Sequence, residues 1–538
     1  MPWPVHPNGL LGAQGDNDTY QISRSLRFNS ADSAYLNRTP LVAGNRKTWT
    51  WSGWVKRSKL SSTGNLFSNS NGASGFSAIR LENTDTLDVF DWTGSAMVWH
   101  LSTTQLFRDP SAWYHILVAV DTSQGTASNR VRIYINGIEI TSFSTATYPT
   151  QNSDTYTNMA QQAAIGSTRT ASNSEFFEGY LTEINFIDGQ ALTPSSFGKT
   201  DAITGRWKAK AFSGTYGTNG FYLKFADNSS TAALGTDSSG NGNTWTTNNF
   251  SVTAGADNDS LVDSPTNYGS DTGVGGELRG NYATLNPLWN YASTISNGNM
   301  DWATSTVYGK IAASFAVNSG KWYWEVTGVT VGYIVGIVDA SSNPSAGTWA
   351  GTRGYYSGNG NKYLGDTASS YASSFAAGDV IGCALDMDNG TLVFYKNNTS
   401  QGTAFTGISG FQYPCFLGGD GNVGLSAVIN TGKRPFAYTA PTGFKALCTT
   451  NLIKATAITT SGSFIGNVSA NGPFVYLNGI PTAMTINGNA VTFGSQADRL
   501  SNGFKVRTTS TSYNSTGTNN FSVSTTAQKF KYARAQAN

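Results

Sequence analysis

The sequence predicts an all-β fold spread over several domains, and three observations carry that prediction. Charged residues make up only 12% of the chain, while Gly alone contributes 60 of 538 residues and Ser, Thr and Asn abound. Surface helices are normally clothed in Glu, Lys and Arg, which form helices well and pair at i,i+4, so little helix is expected. Apolar and polar residues alternate with period two in many short runs, and Asn-Gly pairs interrupt several of them. At ~150 residues per domain the length suits three or four domains.

Taken in chain order, residues 1–23 form an N-terminal arm, and the strand signal is strongest from 24 to 200. Val131-Arg132-Ile133-Tyr134-Ile135-Asn136-Gly137-Ile138-Glu139-Ile140 alternates strictly around an Asn-Gly pair. Such a pair supplies the two positive φ angles of a type I′ turn, so this is a hairpin. Just before it, Trp113-Tyr114-His115-Ile116-Leu117-Val118-Ala119-Val120-Asp121 reads as a strand covered on both faces. Residues 201–300 are rich in Gly, Asn and Asp and read as a linking region with a few strands, such as Phe221-Tyr222-Leu223-Lys224-Phe225, that return to the first sandwich. A second compact unit spans 301–453. The last, 454–538, carries Asn478-Gly479 and Asn487-Gly488 between β-rich runs and predicts a small terminal β-sandwich.

Composition also excludes function classes. Lys and Arg number 34 against 32 Asp and Glu, so neither nucleic acid nor an anionic membrane is an expected partner. No run of ~18 apolar residues occurs, which argues against membrane insertion. The opening Met1-Pro-Trp-Pro-Val-His-Pro has neither the basic nor the apolar stretch of a signal peptide. Cys383, Cys415 and Cys448 are odd in number and far apart, hence buried free thiols and not a disulfide framework or zinc cluster.

Chemistry is sparse. His6, His100 and His115 lie in separate segments, and no metal-ligand, nucleotide or nucleophile-elbow motif occurs, so no metal and no cofactor is expected. Asp386-Met387-Asp388-Asn389-Gly390 imitates a calcium loop, but its Gly comes one place early and Asn397 stands where Glu is needed, so it reads as a hairpin turn. Glu183-Ile184-Asn185-Phe186-Ile187-Asp188 is similar to the E-x-D-x-x-E strand of concanavalin-type glucanases. Alternation would put its polar side chains on or near one face, as paired carboxylates need. The middle acid is Asn here, so no catalytic residue is assigned and no enzyme is expected. What remains is recognition chemistry. Trp349, Arg353, Tyr355, Tyr356 and Tyr363 lie on a Gly-punctuated stretch that combines rings, a guanidinium and amides, suited to sugar or protein ligands. Trp92, in Asp91-Trp92-Thr93-Gly94, is a second candidate ligand-binding ring.

Two resemblances sharpen this picture. Ser25-Leu26-Arg27-Phe28, Trp49-Thr50-Trp51-Ser52-Gly53-Trp54-Val55-Lys56, the Trp113 strand with its hairpin, and Phe177 to Phe186 followed by Ala191-Leu192-Thr193-Pro194 resemble, in that order, the laminin-G-like branch of the concanavalin A-like jelly roll. Gly320-Lys321-Trp322-Tyr323-Trp324-Glu325-Val326, Tyr333 to Val338 and Gly378 to Asn397 resemble the SPRY domain. The resemblances imply two jelly-roll β-sandwiches in tandem, ahead of the small C-terminal one. The whole arrangement is similar to virion proteins of tailed, marine-type bacteriophages. That similarity implies a tail fibre or spike, located in the virion, that binds a host-surface glycan or protein receptor without catalysis. It further implies contacts with other virion proteins and a homo-oligomer, with a trimer favoured. The alternative implied is a capsid decoration protein of the head-fibre or horn type, and less so a glycan depolymerase.

Overall fold

The computed structural model describes residues 20–169, 173–201, 205–342, 349–419, 421 and 423–452, and beyond them the backbone strands between 458 and 536. Strands occupy 44% of the chain and helix 3%. Among the described residues the helix consists of single 3₁₀ turns such as Ala127–Asn129 and Pro194–Ser196.

The first sandwich has two eight-stranded sheets. One runs Ile138–Glu139, Val131–Ile135, Trp113–Asp121, Thr48–Arg57, Gly179–Asp188, Ser25–Phe28, Ser260–Leu261, with Phe221–Leu223 also paired to Gly179–Asp188. The other runs Phe143–Thr147, Met97–Thr103, Leu87–Trp92, Phe76–Leu81, Gly64–Ser70, Ala163–Ile165, Tyr35–Arg38, Thr246–Asn248. Alternation along Thr48–Arg57 sends Trp49, Trp51 and Val55 into the core with Phe67, Trp99 and Phe186, while Trp54 faces outward. Gly53 is closely packed: a Cβ there would stand 2.5 Å from Cδ1 of Ile184, which would have to move. Asn136 and Gly137 adopt φ of 50° and 82°, both positive as a type I′ reversal requires. The Trp113–Asp121 strand is buried on both faces because Phe197, with Leu192, Phe212 and Tyr216 beside it, packs over Leu117, Ala119 and Tyr134 on the outer side.

The stretch from 205 to 261 is part of this sandwich. Its strands are only two or three residues long, yet they close both sheets: Thr246–Asn248 on Tyr35–Arg38 and Ser260–Leu261 on Ser25–Phe28. The second sandwich likewise begins before 301, at Leu285–Tyr291, which pairs with Lys310–Ala313.

Its seven-stranded sheet runs Leu285–Tyr291, Lys310–Ala313, Gln412–Gly418, Tyr333–Asp339, Thr352–Tyr356, Lys362–Leu364, Thr367–Ser369. The facing eight-stranded sheet runs Thr294–Ser296, Asp301–Thr304, Leu425–Asn430, Lys321–Gly328, Val380–Asp386, Thr391–Lys396, Thr399–Phe405, with Lys445–Ala446 parallel to Lys321–Gly328. Trp302 stacks on Phe416 with centroids 5.3 Å apart, and the Tyr333 ring packs against both. Asp386 closes the following hairpin by accepting the N–H groups of Asp388 and Asn389 at 3.0 Å, which is turn chemistry. All three thiols are free and buried.

The C-terminal residues form a separate unit with two antiparallel four-stranded sheets. One runs Ile458–Ile465, Thr518–Thr525, Pro481–Ile486, Asn489–Ala490, and the other Phe493–Leu500, Gly503–Thr508, Phe474–Leu477, Ala533–Gln536. The pairs Asn478-Gly479 and Asn487-Gly488 lie outside the described residues, as do residues 1–19 with His6. No helix among the described residues is long and apolar enough to cross a membrane.

Candidate functional site

The rings expected on a displayed loop are mostly packed inside. Thr352–Tyr356 and Lys362–Leu364 are adjacent strands, so neighbouring side chains point to opposite faces of the sheet. Tyr355 is fully buried, its ring 4.8 Å from Phe375 and 5.3 Å from Phe394, with its hydroxyl donating to the Ser373 carbonyl. Tyr356, Tyr363 and Trp349 cluster on the other face with Ile334, Val338, Cys415 and Leu417; Trp349 and Tyr363 meet edge to face at 5.1 Å. The expectation that these four rings stand ready to stack on a ligand is therefore corrected, since each ring is already covered by its neighbours. Sequence composition is the same for a displayed ring and a packed one, which is why the stretch misled. Arg353 is half-buried near Asp339. Trp92 is half-buried against Phe76, Ala78 and Phe90, next to the exposed Met97 and Val98.

The acidic strand does not gather a carboxylate pair either. Glu183 sits at a β-bulge with φ of 55°, where the pairing with Thr48–Arg57 skips between Thr182 and Asn185. Its Oε2 accepts the hydroxyls of Tyr20 and Tyr222, each at 2.5 Å, and burial raises its pKa. Asp188 serves a different network. Its Oδ1 accepts Asn45 N–H and Asn158 Nδ2, and its Oδ2 accepts Asn219 N–H, at 2.7 to 3.0 Å. Asn185 is used up by Tyr216 and by the Glu183 carbonyl. Among the described residues no group of three or more His, Cys, Asp or Glu is placed to hold a metal. His115 is buried and donates or accepts a 2.9 Å bond with Ser52; burial drives its pKa down to about 3, so it is neutral.

Two features missed in the sequence stand out instead. The first is a charged seam between the sandwiches. Lys56 directs all three ammonium protons to Asp263 Oδ2 at 2.9 Å, Asn281 Oδ1 at 2.7 Å and the Tyr282 carbonyl at 2.9 Å. Lys433, from the second sandwich, reaches the same Asp263 oxygen at 3.1 Å and the Tyr180 hydroxyl at 3.1 Å. Trp113 Nε1 donates to the other Asp263 oxygen, and the Tyr180 hydroxyl donates to the Gly298 carbonyl at 2.6 Å. All three charged side chains are at most 1% exposed. Burial lowers both lysine pKa values, Lys433 to about 8; it would raise that of Asp263, but the two ammonium groups prevail and hold it low. Nearby, Arg27 bonds to Asp259 at 3.0 Å and to the Ala256 carbonyl.

The second feature is a set of apolar turns at one end of the second sandwich. Tyr308, Val329, Val331 and Val423 are between 45% and 60% exposed. Their turns adjoin: Val329 N–H bonds to the Ser426 carbonyl, Gly418 N–H to that of Gly309, and a Cβ on Gly419 would strike the Gly332 carbonyl. The Tyr308 ring also approaches Trp349, with centroids 6.3 Å apart. The available sequence signal was Val329-Thr330-Val331, a reversal without the Asn, Asp or Pro that a solvated turn normally carries.

Fold and seam together define a tandem β-sandwich protein whose two modules are joined through buried charge. A model of the concanavalin A-like lectin/glucanases superfamily matches residues 28–196, and one of the SPRY domain matches residues 321–434. Among curated proteins, the chain is similar to an E3 ubiquitin-protein ligase RKP from Arabidopsis thaliana, 40% identical over 15% of this chain and 6% of that protein. It is similar to Ran-binding protein 10 from Danio rerio, 34% identical over 16% of this chain and 14% of the relative. It also matches an ATP-dependent RNA helicase DDX1 from Xenopus laevis, 32% identical over 24% of this chain and 18% of the relative. The matches thus span under a fifth of these relatives. Among solved structures, the SPRY domain of human HERC1 is 27% identical, covering 27% of this chain and 96% of that one, with a TM-score of 0.25. Modules of these two kinds suggest a role in binding and recognition.

Proposed function

We propose that the chain is a non-catalytic recognition protein of a bacteriophage particle, which presents the apolar turns of its second sandwich to a protein receptor on the host surface. The observation that carries the recognition reading is the gathering of Tyr308, Val329, Val331 and Val423 on adjoining turns of a sheet framework. Isolated exposed apolar residues are ordinary, but several on adjacent turns form a patch of the kind that marks interaction surfaces. Burial of aliphatic groups favours a protein receptor over a sugar, whose apolar faces are better matched by flat rings. The assignment to a virus particle rests on the similarity in module order described above, and a trimeric fibre is the assembly it suggests. The test is competition for adsorption by the full-length chain and by a Val329→Asp, Val331→Asp variant. The wild-type chain should block attachment of intact phage and the variant should not; equal blocking by both would remove the turns from the receptor site. Electron microscopy of the particle would locate the chain on tail or head.

A further inference from the structure

A cleft of about 300 Å³ opens between the two sandwiches. That is the small end of the range for ligand pockets, ~300–1,000 Å³. One wall is the segment after the Thr48–Arg57 strand, with Lys59 and Leu60, joined by Arg108. The other is Pro287, Leu288 and Ile295 of the second sandwich. Both walls are held by irregular backbone. Ser61 and Asp85 have φ of 52° and 67°, and Asp85 Oδ1 accepts Ser61 N–H and Arg57 Nη1, each at 2.7 Å. Opposite, the pairing of Leu285–Tyr291 with Lys310–Ala313 shifts register between Leu285 and Asn290, which releases Pro287 and Leu288 from the ladder, and Leu288 N–H is tied to Asn286 Oδ1 at 2.9 Å. Asn299 spans the walls by donating to the Ser58 carbonyl at 2.9 Å. Strained, well-supported backbone of this kind concentrates where ligands are held.

The charge is equally specific. Asp85 Oδ2 holds the Nε edge of Arg108 at 3.1 Å, while the Arg108 side chain remains 52% exposed. Its two Nη groups and the exposed Lys59 ammonium make no hydrogen bond among the described residues. The nearest exposed acid in sequence, Asp109, is turned onto Ser111. The cleft therefore offers a fork-shaped donor pair and a point charge beside an aliphatic wall, without an aromatic ring in its lining. Guanidinium forks match carboxylates, and an aliphatic wall matches an aliphatic side chain better than the face of a pyranose.

We infer that this interdomain cleft is a docking site for an extended acidic peptide, one aliphatic side chain lying against Leu288 and Ile295 while an adjacent carboxylate bonds Arg108 and Lys59. It stands apart from the receptor reading, because its residues are not those of the apolar turns. The experiment is binding of the full-length chain to an array of hexapeptides carrying one Leu, Ile or Val beside one or two Asp or Glu, followed by fluorescence anisotropy of the strongest binder. Replacing the peptide's acids by Asn or Gln should weaken binding at least tenfold. Lys59→Glu and Arg108→Ala should each do the same, and Leu288→Asn should weaken it several-fold; Lys59, with no partner to lose, keeps the fold intact. Absence of any binder overturns the inference. So does binding that ignores Leu288, which is general charge attraction, or a preference for trigalacturonate over every peptide, which is an acidic-sugar site.

Discussion

The seam and the apolar turns are opposite ways of using one sandwich. At the seam, Lys56, Asp263 and Lys433 are taken wholly out of water, with all three Lys56 ammonium protons and two of those of Lys433 given acceptors. At the turns, aliphatic groups are left in water and the backbone alone is satisfied. Buried charge is costly and tolerates only one geometry, so it fixes orientation; exposed apolar surface gains only when something covers it. The difference separates residues that set the shape of the molecule from residues available to a partner.

The sharpest way to break that separation is Asp263→Ala, which strands two ammonium groups. A loss of about 3–5 kcal/mol in chemical denaturation is expected, without a direct effect on any surface the turns offer. If stability hardly moves, the seam is wetter than described.

Lys433→Met sharpens the comparison, because the cluster holds two cations against one anion. Burial holds the folded pKa of Lys433 at about 8, below the ordinary lysine value of 10.5, so between these values the unfolded chain binds more protons. Stability of the wild-type sandwiches should therefore rise from pH 8 towards 10, by up to roughly 3 kcal/mol. Lys56, also lowered, adds in the same direction, and the Arg27 and Arg434 guanidinium groups nearby help to hold Lys433 down. The methionine variant should lose most of this rise and be as stable as the wild type, or more so, at pH 7. Denaturation midpoints across that pH range decide it.

Glu183→Gln keeps an acceptor for Tyr20 and Tyr222 and should cost about 1 kcal/mol. Host polysaccharide incubated with either protein should stay intact; cleavage by wild type alone would revive a glycosidase. The Val329→Asp, Val331→Asp pair should change stability least, within about 0.5 kcal/mol, while losing the competition for adsorption proposed for the wild-type chain.

How much of this was legible varies with length and separation. The Asn136-Gly137 hairpin and the Trp113–Asp121 strand could be read because period and turn chemistry sit side by side in the chain. The apolar run at Phe221–Leu223 could be read as a strand, but Thr246–Asn248 and Ser260–Leu261 are too short to show alternation, so the rest of the region looked like a linker. Lys56, Asp263 and Lys433 are separated by 207 and 170 positions, and no spacing rule connects them. Burial of Tyr355 and Trp349 depends on which strand lies opposite, something that ring content alone does not encode.

The return of Ser260–Leu261 to the edge of Ser25–Phe28 has a consequence for synthesis. As the chain leaves the ribosome, the sheet begun by residue 25 keeps an unpaired edge until residue 261 emerges, long after Gly179–Asp188 has joined it. Closing such distant pairings is slow, and an open edge is where nascent chains stick to one another. Through the interval between those two strands that edge of a growing copy stays open to a neighbour on the same messenger.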